Sequence, residues 1–269
     1  MPPRLGQHFL RDPAILDRIV DALEPRPDDI VLEIGPGEGT LTSRLAPRVG
    51  RVVAIEKDRR LVDKLRGVGS GEWFPPVPGN VTVLEGDALD LNWHQTFHVS
   101  RFTFHAKIIG NIPYQITSPL IEKALEPPLP AVIVFLVQKE VADRVTAAPG
   151  SKAYGALSVG VQSVARAERL FTVKAGAFSP PPKVDSAVLR LTPLTEPLVS
   201  EAERVPFRAF VVGLFGQRRK QLGRSLRDVA SLDRETAARA IQASGLDPGA
   251  RVEAVAPAVL VRLYRTLGG

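Results

Sequence analysis

Five short apolar runs, separated by segments with helical periodicity, constrain the fold of this chain more than any other feature of its sequence. The runs lie at residues 30–34, 51–55, 81–84, 106–109 and 131–137. Mostly apolar runs of this length are typical of strands buried in a parallel sheet. The segments between them have the spacing of helices, at residues 40–45, 58–65 and 119–125. Strand and helix therefore alternate, as in an open, doubly wound α/β sheet.

The sequence also predicts a second, smaller domain. Prolines cluster between residues 193 and 206, directly after the last predicted strand, and only helical periodicity follows. Helices are predicted there at residues 235–244 and 258–267, and a glycine ends the first of them. We therefore expect an α/β domain over residues 1–195 and a small helical domain over residues 196–269.

Composition excludes several kinds of chemistry. The chain has no cysteine, which excludes disulfides, thiolate nucleophiles and cysteine metal sites, and its four histidines lack the spacing of metal ligands. No apolar run reaches the ~20 residues that span a bilayer. The first ten residues lack the apolar core of a signal peptide. We therefore expect a cytoplasmic protein with no metal and no membrane partner.

A glycine-rich turn after the first strand predicts a nucleoside-binding site. Gly35, Gly37 and Gly39 lie where a strand ends and a helix begins, so that the backbone can approach a ligand closely. Glu56 ends the next strand, where a carboxylate can accept hydrogen bonds from both hydroxyls of a ribose. A nicotinamide-binding turn would have glycine in place of Thr40, so a nicotinamide oxidoreductase is disfavoured.

The spacing of these glycines resembles that of methyltransferases that use S-adenosyl-L-methionine. This resemblance implies that S-adenosyl-L-methionine is the cofactor. The fold implied is α/β, a Rossmann-like S-adenosylmethionine methyltransferase fold with a small C-terminal all-α domain. By the same resemblance, Asp87 at the end of the third strand would accept a hydrogen bond from the adenine amine of the cofactor.

The segment Asn111-Ile112-Pro113-Tyr114 resembles the motif of methyltransferases that act on exocyclic amines of nucleobases. The lone pair of such an amine is delocalised into the ring, so the enzyme has to favour a more tetrahedral nitrogen. The Asn111 side-chain carbonyl and the Ile112 backbone carbonyl can accept the two amine hydrogens, and Pro113 fixes the local backbone. Tyr114 is expected to stack on the target base, which has to leave its own stack to reach the site.

Further motifs narrow the resemblance to one family. The chain resembles the ribosomal RNA adenine dimethyltransferase family, and within it the small-subunit enzymes. The segments that carry the resemblance are residues 6–10, 33–39, 110–114, 136–144, 151–155, 178–187 and 215–222. The resemblance implies that His8, Leu10 and Asn111 contact the cofactor. It also implies that Phe178 faces Tyr114 across the target adenine. The implied reaction is dimethylation of two adjacent adenosines in small-subunit rRNA of a pre-ribosomal particle, and we expect a monomer.

The excess of basic residues lies near the C terminus. Residues 201–269 hold twelve of the 35 lysines and arginines but only seven of the 29 aspartates and glutamates. Basic or polar side chains recur three residues apart at Arg218, Gln221, Arg224 and Arg227, which predicts one basic stripe on a helix. The candidates for contact with RNA phosphates are Arg218, Arg219, Lys220 and Arg224.

Two other functions stay open at this point. Ile112 also occurs in large-subunit relatives that confer macrolide resistance, whereas residues 180–186 and the basic cluster favour the small subunit. The chain could instead act mainly as a ribosome-assembly or RNA-binding factor with dispensable catalysis. Intact Asn111, Tyr114 and Glu56 argue against a purely non-catalytic protein.

Overall fold

The structure, a computed structural model, describes residues 8–67, 78–93, 106–247 and 249–268. Three of the four histidines, His94, His98 and His105, lie outside these residues, as do the first two residues of the motif at 6–10. Among the helices that are described, none is long and apolar enough to cross a membrane.

Most strands of the described residues belong to one large sheet. In chain order the strands are β1 (Phe9–Leu10), β2 (Ile30–Ile34), β3 (Arg51–Glu56), β4 (Val81–Glu85), β5 (Ala106–Asn111), β6 (Val132–Gln138), β7 (Ala165–Val173), β8 (Phe178–Ser179) and β9 (Ser186–Pro193). The large sheet has seven strands in the order β4-β3-β2-β5-β6-β9-β7. Strands β2 to β6 pair in parallel, whereas β9 is antiparallel to β6. The five predicted parallel strands and the Rossmann-like fold are therefore confirmed.

The chain is organised in two compact units. The helices, in chain order, are α1 (Pro13–Ala22), α2 (Thr42–Leu45), α3 (Arg59–Leu65), α4 (Thr117–Ala124), α5 (Lys139–Val145), α6 (Ala156–Gln162), α7 (Glu201–Gly216), α8 (Leu222–Ala230), α9 (Arg234–Ala243) and α10 (Pro257–Thr266). The first unit takes in the described residues up to Ala142 together with Glu168–Pro193, and the second takes in the rest. This division differs from the single boundary predicted between residues 195 and 196. Nothing in the local spacing of residues 143–167 indicates which core they join.

Several elements differ from the sequence prediction for physical reasons. Most side chains of β7 are at least partly exposed, so this strand shows no apolar run. The two-residue strands β1 and β8, which pair antiparallel, are too short to show a pattern. Helix α7 contains Pro206, the last of the clustered prolines after which the sequence predicts helices. Proline removes one helical hydrogen bond, but the helix buries Phe207, Phe210 and Leu214, and this packing stabilises it.

Gly110 lets β2 and β5 lie side by side at the end of the sheet that carries the glycine-rich turn and Asn111. It pairs with Ile34, and a Cβ atom at this position would lie 2.5 Å from the Ile34 carbonyl oxygen. Real Cβ atoms do not approach backbone this closely, so any side chain here forces the two strands apart.

Replacing Gly110 with alanine is therefore expected to lower the free energy of unfolding by about 2 kcal/mol, within the range of backbone and overpacking effects. Chemical denaturation measures this change. Gly160→Ala is the matched control, because that glycine lies in α6 with no atom within 4 Å of the added Cβ, and alanine favours a helix. Equal denaturation midpoints for Gly110→Ala and the unmodified protein would contradict the proposed clash.

Candidate active site

The glycine-rich turn lies between β2 and α2 and borders an open cleft. Gly35, Gly37 and Gly39 all have positive φ angles, of 67°, 59° and 78°, which only glycine adopts without strain. At Gly37 an added Cβ would also lie 2.9 Å from the ring of Phe9. Because these positions carry no side chains, the backbone of the turn is exposed to the cleft and a ligand can contact it closely.

Glu56 ends β3 beside this turn, and its carboxylate is held in place by backbone N–H groups. The Gly37 N–H donates to Oε2 at 3.1 Å, and the Asp58 N–H donates to Oε1 at 2.9 Å. Burial raises the pKa of Glu56, while the hydrogen bonds from the backbone of residues 37, 57 and 58 lower it in part. Each oxygen keeps a lone pair for a further donor, so the oriented carboxylate fits the two hydroxyls of a ribose.

Asp87 lies just beyond the end of β4 and is paired with a lysine. Its Oδ2 is 2.6 Å from Lys57 Nζ, and its Oδ1 accepts a hydrogen bond from the Leu89 N–H at 2.9 Å. The hydrogen bond from Lys57 is the main reason that the pKa of Asp87 is lowered. The side chain is therefore ionised and available as an acceptor, as the proposed contact with the cofactor adenine requires.

The orientation of the Asn111 side chain is set by the segment around His8. Asn111 ends β5, and its Nδ2 donates to the His8 carbonyl oxygen at 2.9 Å. Because the donor end of the amide is used in this bond, the Oδ1 end is left as the acceptor. The next peptide is also anchored, since the Ile112 N–H donates to the Leu136 carbonyl at 3.0 Å. Both features suit a site that accepts hydrogens from an amine.

Tyr114 follows in a short turn and is fixed at its hydroxyl. This hydroxyl is 2.8 Å from Ser186 Oγ, which is fully buried. The ring is half-buried and lies beside the imidazole of His8, with 5.8 Å between the ring centroids and an interplanar angle of 31°. The His8 Nδ1 is 2.8 Å from the Pro180 carbonyl oxygen. The position of Tyr114 in the site is therefore fixed by β9 and by the segment that contains His8.

Nine of the predicted site residues line one cleft of the first unit. They are His8, Leu10, Gly35, Gly37, Glu56, Asn111, Ile112, Pro113 and Tyr114. Three predicted residues of this unit, Gly39, Asp87 and Phe178, are not part of this lining in the described structure. No group of three or more potential ligand side chains that could hold a metal ion occurs within the described ranges.

Phe178, which the resemblance places opposite Tyr114 across the target adenine, does not have an exposed ring in the described structure. Its side chain is 5% exposed and packs in the core with Leu10 and Leu16. The reason is the pairing of β1 with β8, in which Phe178 lies opposite Leu10. The prolines at 180–182 do not expose the ring, because the short strand before them turns it inward.

Glu33 lines the cleft and was not assigned a role from the sequence. It is 1% exposed, and neither of its carboxyl oxygens has a hydrogen-bond partner in the described structure. Burial raises the pKa of Glu33 to about 7; the Thr42 hydroxyl opposes this rise and the charge of Glu56 adds to it. The signal in the sequence was an acidic residue inside an otherwise apolar run at residues 30–34.

The basic residues of the second unit do not form one helical stripe. Helix α7 ends at Gly216 and α8 begins at Leu222, so that Arg218, Arg219 and Lys220 lie in the turn between them. The spacing of three is regular in sequence, but residues 217–220 form a turn that breaks the helical periodicity. The prediction of a continuous stripe is therefore wrong.

Four candidates for RNA contact differ in how far their charges are already neutralised. Arg218 forms an ion pair with Glu253 at 2.7 Å, and Lys220 forms one with Asp228 at 3.0 Å. The side chains of Arg219 and Arg224 are exposed. Exposed arginines outside a tight ion pair are the better candidates for binding phosphate.

Replacing Glu56 with glutamine tests the site directly. The amide NH₂ would face one of the two backbone N–H donors, and one acceptor for the ribose would be lost. Hydrogen bonds to a charged group contribute about 1.5–3 kcal/mol, so we expect S-adenosylmethionine to bind about 10- to 100-fold more weakly. Titration calorimetry measures this affinity, with Glu85→Gln as a control because Glu85 is exposed at the end of β4. Unchanged affinity would exclude Glu56 from the cofactor site.

Comparison with known proteins agrees with this geometry. Residues 2–267 match the family model of the ribosomal RNA adenine dimethylases. The Ribosomal RNA small subunit methyltransferase A of Synechococcus elongatus is 43% identical, over 98% of this chain and 94% of its own. The protein of the same name from Halothermothrix orenii is 40% identical, over 98% of this chain and 87% of its own.

Two solved structures are similar over nearly the whole chain. The 23S rRNA methyltransferase ErmE has a TM-score of 0.71 and 32% identity, covering 97% of this chain and 100% of its own. A dimethyladenosine transferase from Plasmodium falciparum has a TM-score of 0.76 and 27% identity, covering 97% of this chain and 98% of its own. The glycine turn, the oriented Glu56 and the acceptor end of Asn111 fit S-adenosylmethionine and an amine substrate. The chain belongs to the ribosomal RNA adenine dimethylase family and is an S-adenosylmethionine-dependent rRNA adenine methyltransferase.

Proposed function

We propose that this protein dimethylates the exocyclic amines of two adjacent adenosines in small-subunit rRNA during ribosome biogenesis. The observation that carries the proposal is the fixed Asn111 amide, whose donor end is bound to His8 and whose acceptor end is left for an amine. It lies in the same cleft as the glycine turn and Glu56. Relatives with the higher identities are named for the small subunit, which supports this choice of substrate.

In the proposed mechanism the protein makes the adenine nitrogen nucleophilic by placing it. The Asn111 Oδ1 and the Ile112 carbonyl accept the amine hydrogens, which favours a tetrahedral nitrogen with its lone pair directed at the methyl group. Tyr114 stacks on the base that has left the RNA stack. The cofactor, when bound, supplies an electrophilic methyl group on a sulfonium. The methylated nitrogen is acidic and gives its proton to solvent, so no strong base is required.

We also propose that the substrate is rRNA in a pre-ribosomal particle, that the enzyme acts in the cytoplasm, and that it works as a monomer. The exposed Arg219 and Arg224 support contact with a structured RNA.

A second candidate function is methylation of large-subunit rRNA. The similarity to ErmE, which is named as a 23S rRNA methyltransferase, favours it. Methyl incorporation from labelled S-adenosylmethionine into unmethylated small and large subunits, measured in parallel, separates the two. Nucleoside mass spectrometry identifies the product. We expect dimethyladenosine only in the small subunit. Label only in the large subunit would support the second candidate function instead. Label in neither subunit would contradict both.

Asn111→Ala is expected to lower the turnover number by about 100-fold or more, by analogy with the loss of one preorganised hydrogen-bonding group. RNA affinity should stay unchanged, because Asn111 contacts only the reacting amine of the RNA. Single-turnover methylation and filter binding measure the two quantities. Cofactor affinity is measured alongside, since the bond to His8 is also lost. Gln115→Ala, an exposed amide in the adjoining turn, is the control, and normal turnover in Asn111→Ala would exclude the proposed role.

Substitution of Arg219 tests the RNA surface. Arg219→Glu is expected to weaken RNA binding, and Arg219→Gln or Arg224→Gln should each reduce the slope of log affinity against log salt by about 1. Arg218→Gln should change it less, because Glu253 already neutralises Arg218. Arg239→Gln on α9 is the control, since Arg239 is exposed but pairs with Glu235. Salt slopes that do not differ between Arg219→Gln and this control would contradict the assignment.

A further inference from the structure

The segment between β8 and β9 is tied at both of its ends to rings that line the cleft. The Pro180 carbonyl oxygen is 2.8 Å from His8 Nδ1, and Ser186 Oγ is 2.8 Å from the hydroxyl of Tyr114. The centroids of these two rings are 5.8 Å apart. Residues 180–184, here called the proline loop, therefore lie at the rim of the cleft, beside the position proposed for the target adenine.

The proline loop is held rigidly on the first unit. Three of its five residues are prolines, whose rings fix φ, and Pro182 is buried. The carboxylate of Asp185, which follows the loop, accepts hydrogen bonds from Lys174 Nζ at 2.8 Å and from the Ala175 N–H at 3.1 Å. Its carbonyl oxygen accepts another from the Lys139 N–H at 3.0 Å. A surface that is ordered in advance loses little conformational entropy when a partner binds.

Two side chains of the proline loop, Lys183 and Val184, point to an RNA partner. Lys183 is exposed and forms no ion pair with a carboxylate of the described residues, so its charge is available to a phosphate. Val184 is 46% exposed, one of four large apolar side chains that are exposed in the described part of the chain. Proteins that take a base out of its stack commonly place an apolar side chain against the bases left behind.

We propose that the proline loop binds the RNA strand next to the target adenosine. Lys183 contacts a phosphate, and Val184 packs against the nucleotide that loses its neighbour when the target leaves the stack. These contacts keep the target adenosine outside its stack while Asn111 holds its amine. The inference rests on an adenosine of rRNA as the target, and it does not depend on which ribosomal subunit carries that adenosine.

The absence of cysteine from the chain allows the contact to be located by crosslinking. Val184→Cys introduces a single thiol, which is labelled with a photoactivated azidophenacyl group. The labelled protein is bound to the unmethylated ribosomal subunit that accepts methyl groups from the unmodified protein, and reverse transcription maps the crosslinks. We expect crosslinks to the nucleotides directly adjacent to the methylated adenosines.

Val205→Cys is the control for this experiment, because Val205 is an exposed valine of α7. It should not crosslink to the nucleotides beside the target. Crosslinks from Val184→Cys to a ribosomal protein, to distant rRNA or to nothing would overturn the proposal, as would equal labelling of the adjacent nucleotides by both variants.

Lys183→Gln tests the phosphate contact. We expect the slope of log RNA affinity against log salt to fall by about 1. Cofactor affinity should stay unchanged, since Lys183 does not line the cleft. Arg59→Gln is the matched control, because Arg59 is an exposed cation of α3, which packs on β3 and β4 at the edge of the large sheet away from β9. Equal salt slopes for the two variants would refute the contact and, with it, the proposal.

Val184→Ala tests the contact with the unstacked nucleotide. We expect the single-turnover rate of methylation at saturating RNA to fall about fivefold, because apolar surface that the RNA would cover is lost. The salt slope should not change, since no charge is removed. Val205→Ala, the same change at an exposed valine of α7, should keep the normal rate, and equal rates for the two variants would overturn the proposal.

These outcomes are separate from the choice of ribosomal subunit. The methylated nucleotides identify the subunit that is the substrate, and the crosslinks and rates are then read on that subunit. Methylation of the large subunit would contradict the proposed small-subunit substrate and leave the test of the proline loop intact. Methylation without crosslinks beside the methylated adenosines would overturn the inference alone.

Discussion

The register of three parallel strands is the constraint on which the whole site depends. Ile34 pairs with Ile55 on one side and with Gly110 on the other. The residues that follow these positions therefore emerge at one edge of the sheet: the glycine turn after β2, Glu56 at the end of β3 and Asn111 at the end of β5. A shift of one residue in either pairing would turn each side chain to the opposite face of the sheet. The absence of a side chain at Gly110 maintains this register, since Ile34 leaves no room for one.

Hydrogen bonds from the backbone convert this shared edge into an oriented site. Glu56 is fixed by two N–H groups, and Asn111 is fixed by the carbonyl of His8. The segment with His8 is held in turn by β1, which pairs with β8 and buries Phe178 opposite Leu10. Phe178 thus supports the wall of the cleft from the core. The cofactor side and the amine side of the cleft are linked through the same short N-terminal strand.

Much of this arrangement could be predicted from the sequence, because local signals carry it. The apolar runs identify β2 to β6, and the glycines and acidic residues at their ends identify the edge that binds the cofactor.

The rest of the arrangement depends on contacts between residues that are distant in sequence. The inward position of Phe178 follows from pairing across 168 residues with Leu10, and the assignment of residues 143–167 to the second unit follows from packing. The turn after Gly216 breaks a basic periodicity that is regular in sequence. Glu33 was visible as an acid in an apolar run, but its lack of a partner is apparent only in three dimensions.

The central claim of this account is that Asn111 presents its carbonyl oxygen to the target amine while its NH₂ group stays bound to His8. A crystal structure with S-adenosylhomocysteine and a short adenosine-containing RNA tests this claim most directly. We predict that the exocyclic amine of the target lies within hydrogen-bonding distance of Asn111 Oδ1 and the Ile112 carbonyl, with Tyr114 stacked on the base. A target amine bound away from Asn111, or an Asn111 amide turned with its nitrogen toward the base, would contradict the account.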